Sequence, residues 1–310
     1  MRRSLLNILN LTIKDLSQLI SSGNISPIDL VEATLERIST LNPKLNAFIT
    51  ILEKSARKDA KNADSMIKQG KYRGPLHGIP VSLKDLIYVK GERSTSGSKI
   101  LSNFVPQYDS TVVKRLKEAG AIIVGMNNTH EFACGITNIN PHYGSSKNPW
   151  DINRMSGGSS GGSAVAVSAG MTPVSIGTDT SGSIRVPSSL CGLFGLKPTY
   201  GRVSKYGVQK LAPSIDHVGP IARGAWDIAA VLQTIAGYDK LDSSTVNTPV
   251  PDYINTISEK KHKRDGGSNK FQVGIPVEFF FEIIDSKGLS ANSMVVEYLQ
   301  IVYMYNRPIK

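Results

Sequence analysis

Two stretches of serine and glycine constrain this chain more than any other feature. They are Gly157-Gly158-Ser159-Ser160-Gly161-Gly162-Ser163 and Gly177-Thr178-Asp179-Thr180-Ser181-Gly182-Ser183-Ile184-Arg185, with Ser159 and Ser183 24 residues apart. Apolar sequence flanks both closely, which argues against a flexible linker. Glycines here let the main chain approach a bound group and turn successive N–H groups toward it. Upstream, Pro80-Val81-Ser82-Leu83-Lys84-Asp85 sets one lysine at the end of an apolar run. Two hydroxyls, an amine and a set of backbone donors are the parts of a serine nucleophile activated by lysine instead of histidine.

The pattern around these stretches predicts an α/β fold. The first 70 residues read as helical. Thr12 and Asp15 cap one helix, and Ser26-Pro27 open a second that is expected to end before Asn42-Pro43. A third helix is expected over 53–69, stopped by Gly70. From residue 78 short apolar runs alternate with helical stretches. Strands are expected over 79–83, 121–125 and 173–176, and helices after Asp109-Ser110, over 163–169 and over 226–236. Such alternation implies a sheet with helices on both faces. Val273–Pro276 reads as the strand of a new unit, without the partners that should follow it.

Composition excludes several classes. The chain has 310 residues, 40% hydrophobic and 20% charged, as in soluble globular proteins. Lys plus Arg total 36 against 25 Asp plus Glu, a net charge of +11. The densest basic run, Lys260-Lys261-His262-Lys263-Arg264, lies beside Gly266-Gly267-Ser268-Asn269 and reads as a solvated loop, so the charge indicates solubility before nucleic-acid binding. Cys134 and Cys191 form no C-x-x-C pair, which indicates neither a disulfide framework nor a thiolate zinc site. No apolar run approaches the ~18 residues of a membrane-spanning helix. A cytoplasmic location is expected.

Histidine is the usual base for serine. None of His77, His130, His142, His217 and His262 lies in a nucleophile-elbow pattern. A lysine serves as base only when neutral, and burial can lower its pKa by as much as ~3–5 pH units. The competing assignment for Lys84 is an ordinary ion pair with Asp85. A phosphate-binding loop is excluded for the first stretch, because neither Gly-Lys-Ser/Thr nor G-x-G-x-x-G is present. Ser96-Gly97-Ser98-Lys99 matches S-x-x-K but lacks its companion motifs.

With these residues in hand the chain resembles the amidase signature family. The resemblance is carried by Lys84 in its context, both Ser/Gly stretches, Asn148-Pro149-Trp150-Asp151 and Gly192-Leu193-Phe194-Gly195-Leu196-Lys197-Pro198-Thr199, and runs from about residue 10 to about 280. It implies a mixed central β-sheet covered by helices on both faces, with an N-terminal helical segment over 1–75 and a signature core over 76–283. Residues 284–310 look unlike the family, and a truncated or frame-altered C-terminus is expected. The resemblance implies a triad of Ser183 as nucleophile, Ser159 as proton relay with a cis Gly158–Ser159 bond, and Lys84 as base. It implies an oxyanion hole from the N–H groups of Thr180, Ser181, Gly182 and Ser183, braced by Ser160, Asp179 and Arg185. No metal and no organic cofactor are implied. Ser181 departs from the family, many of whose members have glycine there.

The implied reaction is hydrolysis of a small-molecule carboxylic amide to an acid and ammonia or an amine. His130-Glu131-Phe132-Ala133 and Asn140-Pro141-His142-Tyr143-Gly144 favour a free-standing amidase, with a homodimer among its expected assemblies. The alternative is the glutaminase component of a tRNA-dependent amidotransferase, its A subunit, working with partner subunits and tRNA. Thr199–Ser204 and Ile235–Asp239 resemble that component. A third reading is an inactive truncated fragment or basic binding protein.

Overall fold

The computed structural model describes residues 8–258. The 260–264 basic run with His262, the strand expected at 273–276 and the 284–310 tail lie outside the described residues.

The N-terminal helices form where capping chemistry starts them. Helix α1 (Ile13–Ser21) opens on a complete capping box between Thr12 and Asp15 and buries Ile13, Leu16 and Ile20. Helix α2 (Pro27–Leu45) opens on Ser26, whose hydroxyl accepts from the Asp29 N–H at 3.0 Å. It does not stop before Asn42-Pro43: it runs through Pro43 to a left-handed Asn46 (φ 52°). Pro43 forgoes the N–H bond to the Ser39 carbonyl, and Asn42 locks the exit by accepting from the Phe48 N–H (2.8 Å) and donating to the Phe48 carbonyl (3.2 Å).

The segment to residue 75 is not wholly helical. Phe48–Ile51 forms strand β1, a run of one aromatic and three β-branched residues. Helix α3 (Glu53–Lys68) follows and buries an alanine face, Ala56, Ala60 and Ala63. Then come β2 (Pro80–Lys84), α4 (Thr111–Glu118, capped by Ser110) and β3 (Ile122–Asn127). Helix α5 (Gly161–Ser168) and β4 (Val174–Asp179) carry the two Ser/Gly stretches. The remaining elements are α6 (Arg185–Leu190), β5 (Phe194–Gly195), β6 (His217–Ala222), α7 (Ala225–Ile235) and α8 (Tyr253–Ser258).

The sheet is mixed, in the order β1-β3-β2-β4-β6-β5. Strands β3, β2 and β4 run parallel, while β1, β6 and β5 pair antiparallel. Side chains alternate across it. Ile122 and Val124 join a core with α2, α3 and α5, whereas Ile123, Val81 and Leu83 join one with α1, α4 and α7. The sheet is therefore covered on both faces, as expected. Among the described residues no helix is long and apolar enough to cross a membrane.

This topology sets one edge apart. The carboxyl ends of the parallel strands, Lys84, Asn127 and Asp179, lie side by side, and in open α/β sheets that edge is where ligands bind.

Candidate active site

Lys84 is the last residue of β2 and is fully buried. Strand periodicity turns it to the face opposite Leu83 and Asp85. The ion pair with Asp85 is accordingly absent. The Asp85 carboxylate instead accepts the Thr95 N–H at 3.1 Å and the Thr95 hydroxyl. The Lys84 amine reaches Ser159 Oγ at 2.7 Å and Thr178 Oγ1 at 2.9 Å. Burial pushes it down from 10.5 to about 7, against the opposing pull of the Asp179 and Asp216 carboxylates. Its polar contacts are thus two hydroxyls, one on each Ser/Gly stretch.

The Gly158–Ser159 peptide bond is cis. The Ser159 carbonyl accepts from Thr129 Oγ1 (2.9 Å) and the His130 N–H (3.2 Å), both just beyond the end of β3. The next peptide group, Ser160 N–H, donates to the Ser183 carbonyl at 3.1 Å and ties the first stretch to the second. The Ser160 hydroxyl adds to the tie, donating to the Thr178 carbonyl at 3.1 Å and accepting the Thr178 N–H at 3.3 Å. Helix α5 can start this close to β1 and β3 only because residue 162 is glycine. A Cβ there would lie 2.5 Å from the Ala47 carbonyl oxygen and from the backbone of Asn128.

Ser183 sits at the turn of the second stretch, 4% exposed. No hydrogen bond joins its hydroxyl to that of Ser159, and the Ser183 hydroxyl has no partner among the described residues. The turn is built around Asp179, a carboxylate with no exposure that collects donors from all sides. Gly182 N–H (2.8 Å), Ile184 N–H (3.1 Å) and Arg185 N–H (3.3 Å) reach it, together with Arg185 Nε and Nη2 at 3.0 Å each. Burial pushes this carboxyl up, but the Arg185 bonds and the backbone N–H groups outweigh that and hold it below its ordinary value.

Asp179 and Arg185 bond each other within the turn, and Ser160 bonds Thr178 from the first stretch. Gly182 departs from its expected role. Its N–H is committed to Asp179, and its φ of 139° suits a residue without a side chain. The N–H groups of Thr180, Ser181 and Ser183 remain without partners among the described residues.

Sequence reasoning missed Thr178, the second hydroxyl on Lys84, although it lies inside the second stretch. It also missed Thr129 and Asp216. Asp216 accepts the Thr180 hydroxyl at 2.6 Å and the Leu211 and Ala212 N–H groups at 2.9 Å each. Among the described histidines no ring bonds to either serine. His142 pairs with Glu131 at 3.0 Å, and His217 Nδ1 bonds the Ile215 carbonyl at 2.7 Å.

A two-faced α/β sheet with a buried lysine wired to hydroxyls, beside a glycine-turned loop of free N–H groups, is the class that this fold and site define. A family model described as Amidase matches residues 29–300. The chain is 46% identical over 280 residues to the A subunit of glutamyl-tRNA(Gln) amidotransferase from Geobacter sp. (strain M21), covering 90% of this chain and 56% of that protein. Among solved structures it is similar to the native peptide amidase of Stenotrophomonas maltophilia, with a TM-score of 0.77 and 39% identity over 81% of this chain and 53% of that one. It is also similar to a chain from a vestigial complex reported to reveal the evolutionary origins of an s-triazine catabolic enzyme, with a TM-score of 0.79 and 39% identity over 80% of this chain and 55% of that one. The chain belongs to the amidase family. It spans a little over half the length of these relatives.

Proposed function

We propose that this chain carries the acyl-transfer centre of an enzyme that hydrolyses a carboxylic amide to an acid and ammonia, through Ser183, Ser159 and Lys84. The observation that carries the reading is the buried Lys84 amine, brought down to about 7 and 2.7 Å from the Ser159 hydroxyl. A neutral amine has one lone pair for Ser159 and can donate to Thr178 Oγ1. Ser183 Oγ attacks the amide carbon and passes its proton to Ser159 Oγ, whose own proton moves to Lys84 Nζ. The carbonyl oxygen becomes an oxyanion, held by the N–H groups of Thr180, Ser181 and Ser183. As the intermediate collapses, the C–N bond breaks, and the proton returns through Ser159 to the departing nitrogen. Water then attacks the ester on Ser183 along the same relay and releases the acid. The missing Ser159–Ser183 bond fits a resting site, where catalytic hydrogen bonds close only around substrate.

A second reading keeps this chemistry and takes glutamine as the amide, with the ammonia passed to a partner protein that works on tRNA. The amidotransferase relative at 46% identity favours it. One assay separates them. Ammonia release from benzamide by the chain alone is the expected result for a free amidase. Release from glutamine that rises on adding the amidotransferase partners supports the second reading, and release from neither amide under both conditions contradicts the hydrolase reading of this chain.

A further inference from the structure

We infer that Lys197 is a positioning residue for the Ser181 N–H donor of the oxyanion cradle, an inference that rests on the acyl-transfer reading of Ser183. Lys197 follows strand β5, and its backbone is fixed by the sheet. Gly195 pairs with Ile221, and the Leu196 N–H donates to the Pro220 carbonyl at 3.1 Å. From there the side chain, 24% exposed, reaches the second Ser/Gly stretch. Its ammonium donates to the Thr180 carbonyl at 3.1 Å and stands 3.7 Å from Asp179 Oδ1.

The shorter contact identifies the task. Asp179 already holds two bonds from Arg185 and three from backbone N–H groups, so it does not need a second cation. The hydrogen bond from Lys197 goes instead to an uncharged carbonyl. In a trans peptide the C=O and the following N–H point in opposite directions. Fixing the Thr180 oxygen on Lys197 therefore turns the Ser181 N–H to the other side, where it is unpartnered among the described residues. Ser181 itself is exposed, so packing does not hold that peptide plane. The Asp216 carboxylate fixes the Thr180 side chain at 2.6 Å, which leaves the carbonyl as the remaining point of control. A cation on the carbonyl oxygen also polarises the peptide and makes its N–H a stronger donor. The Lys197 charge thus reaches the reaction through the peptide group between Thr180 and Ser181.

The test uses the full chain and a fluorophosphonate probe, whose phosphoryl oxygen gains charge as Ser183 attacks. Lys197→Met keeps the length of the side chain and removes the donor and the charge. Its maximal inactivation rate should fall about 100-fold, the scale of losing one oxyanion donor, with the probe's half-saturating concentration changed less than about threefold. Lys197→Arg should recover to within about tenfold of wild type. A folded Lys197→Met that labels within about threefold of wild type, or a folded Lys197→Arg as impaired as the methionine variant, overturns the inference while leaving the acyl-transfer reading intact. Wild-type chain that takes no label at Ser183 overturns that reading, and this inference with it.

Discussion

Replacing Ser183 with alanine is expected to erase covalent labelling by a fluorophosphonate and to lower amide hydrolysis on the order of 10⁶-fold, the scale of losing the nucleophile in a serine enzyme. The prediction is clean because nothing among the described residues holds the Ser183 hydroxyl. It has no hydrogen-bond partner among the described residues, so its removal strands no buried group. Removing a buried hydroxyl without a partner should leave stability unchanged or slightly raised. Peptide mass mapping of the labelled chain reads the result directly. Label on a different residue, or undiminished label in the alanine variant, removes Ser183 from the role of nucleophile.

Lys84→Met is expected to lose acylation and, with it, a distinctive rise of stability with pH. Acylation should fall about 10⁴-fold at neutral pH, the upper range for a general base, with partial recovery at high pH as solvent hydroxide replaces the amine. The linkage has a definite sign. In the unfolded chain Lys84 keeps its proton up to 10.5, and in the fold only up to about 7. Between those values the unfolded state binds more protons, so folding stability rises with pH, at a slope approaching ~1.4 kcal/mol per pH unit and totalling on the order of 5 kcal/mol for a shift of this size. Denaturant melts from pH 7 to 10 should show that rise in the wild-type chain and its loss in Lys84→Met. Parallel curves for the two proteins would mean that residue 84 carries its proton in the fold like any surface lysine.

Much of this site is legible in the sequence because its parts are local. Gly177–Arg185 forms one turn that supplies most of its own bonds, Asp179 holding Gly182, Ile184 and Arg185, whereas Gly157–Ser163 is marked by its own glycines and serines but is held by Thr129, His130, Thr178 and Ser183. The strand ending in Lys84 is legible for the same reason. The period of two along that strand already sets Asp85 on the opposite face from Lys84, so the ion pair between them was excluded by geometry that the sequence contains.

What is not legible comes from far along the chain. Thr129 holds the Ser159 carbonyl across 30 residues, and Asp216 holds Thr180 across 36. Neither sits in a local pattern that marks it. Gly182 differs for the opposite reason: the family resemblance implies it as one of four donors, yet Asp179 folds back and takes its N–H. Strand β1 was hidden by its helical neighbours, because Phe48-Ile49-Thr50-Ile51 is shorter than any periodicity window and gains its place only by pairing with β3. Helix α2 runs on past its proline to Leu45, and Asn42 then fixes the chain after it with side-chain bonds to Phe48 that no propensity encodes.

The central claim is a neutral lysine at physiological pH, and the pH dependence of Ser183 acylation tests it most directly. The rate of fluorophosphonate labelling should climb about tenfold per pH unit below a midpoint of about 7 and then level off. Asp85 is the neighbouring group that burial also pushes up, to about 7, so the same profile taken on Asp85→Asn assigns the limb. A midpoint near 7 in both proteins is the predicted result. A limb that moves up to the ordinary lysine range, that disappears with Asp85, or that is flat from pH 5 to 10 would contradict a neutral Lys84 as the base.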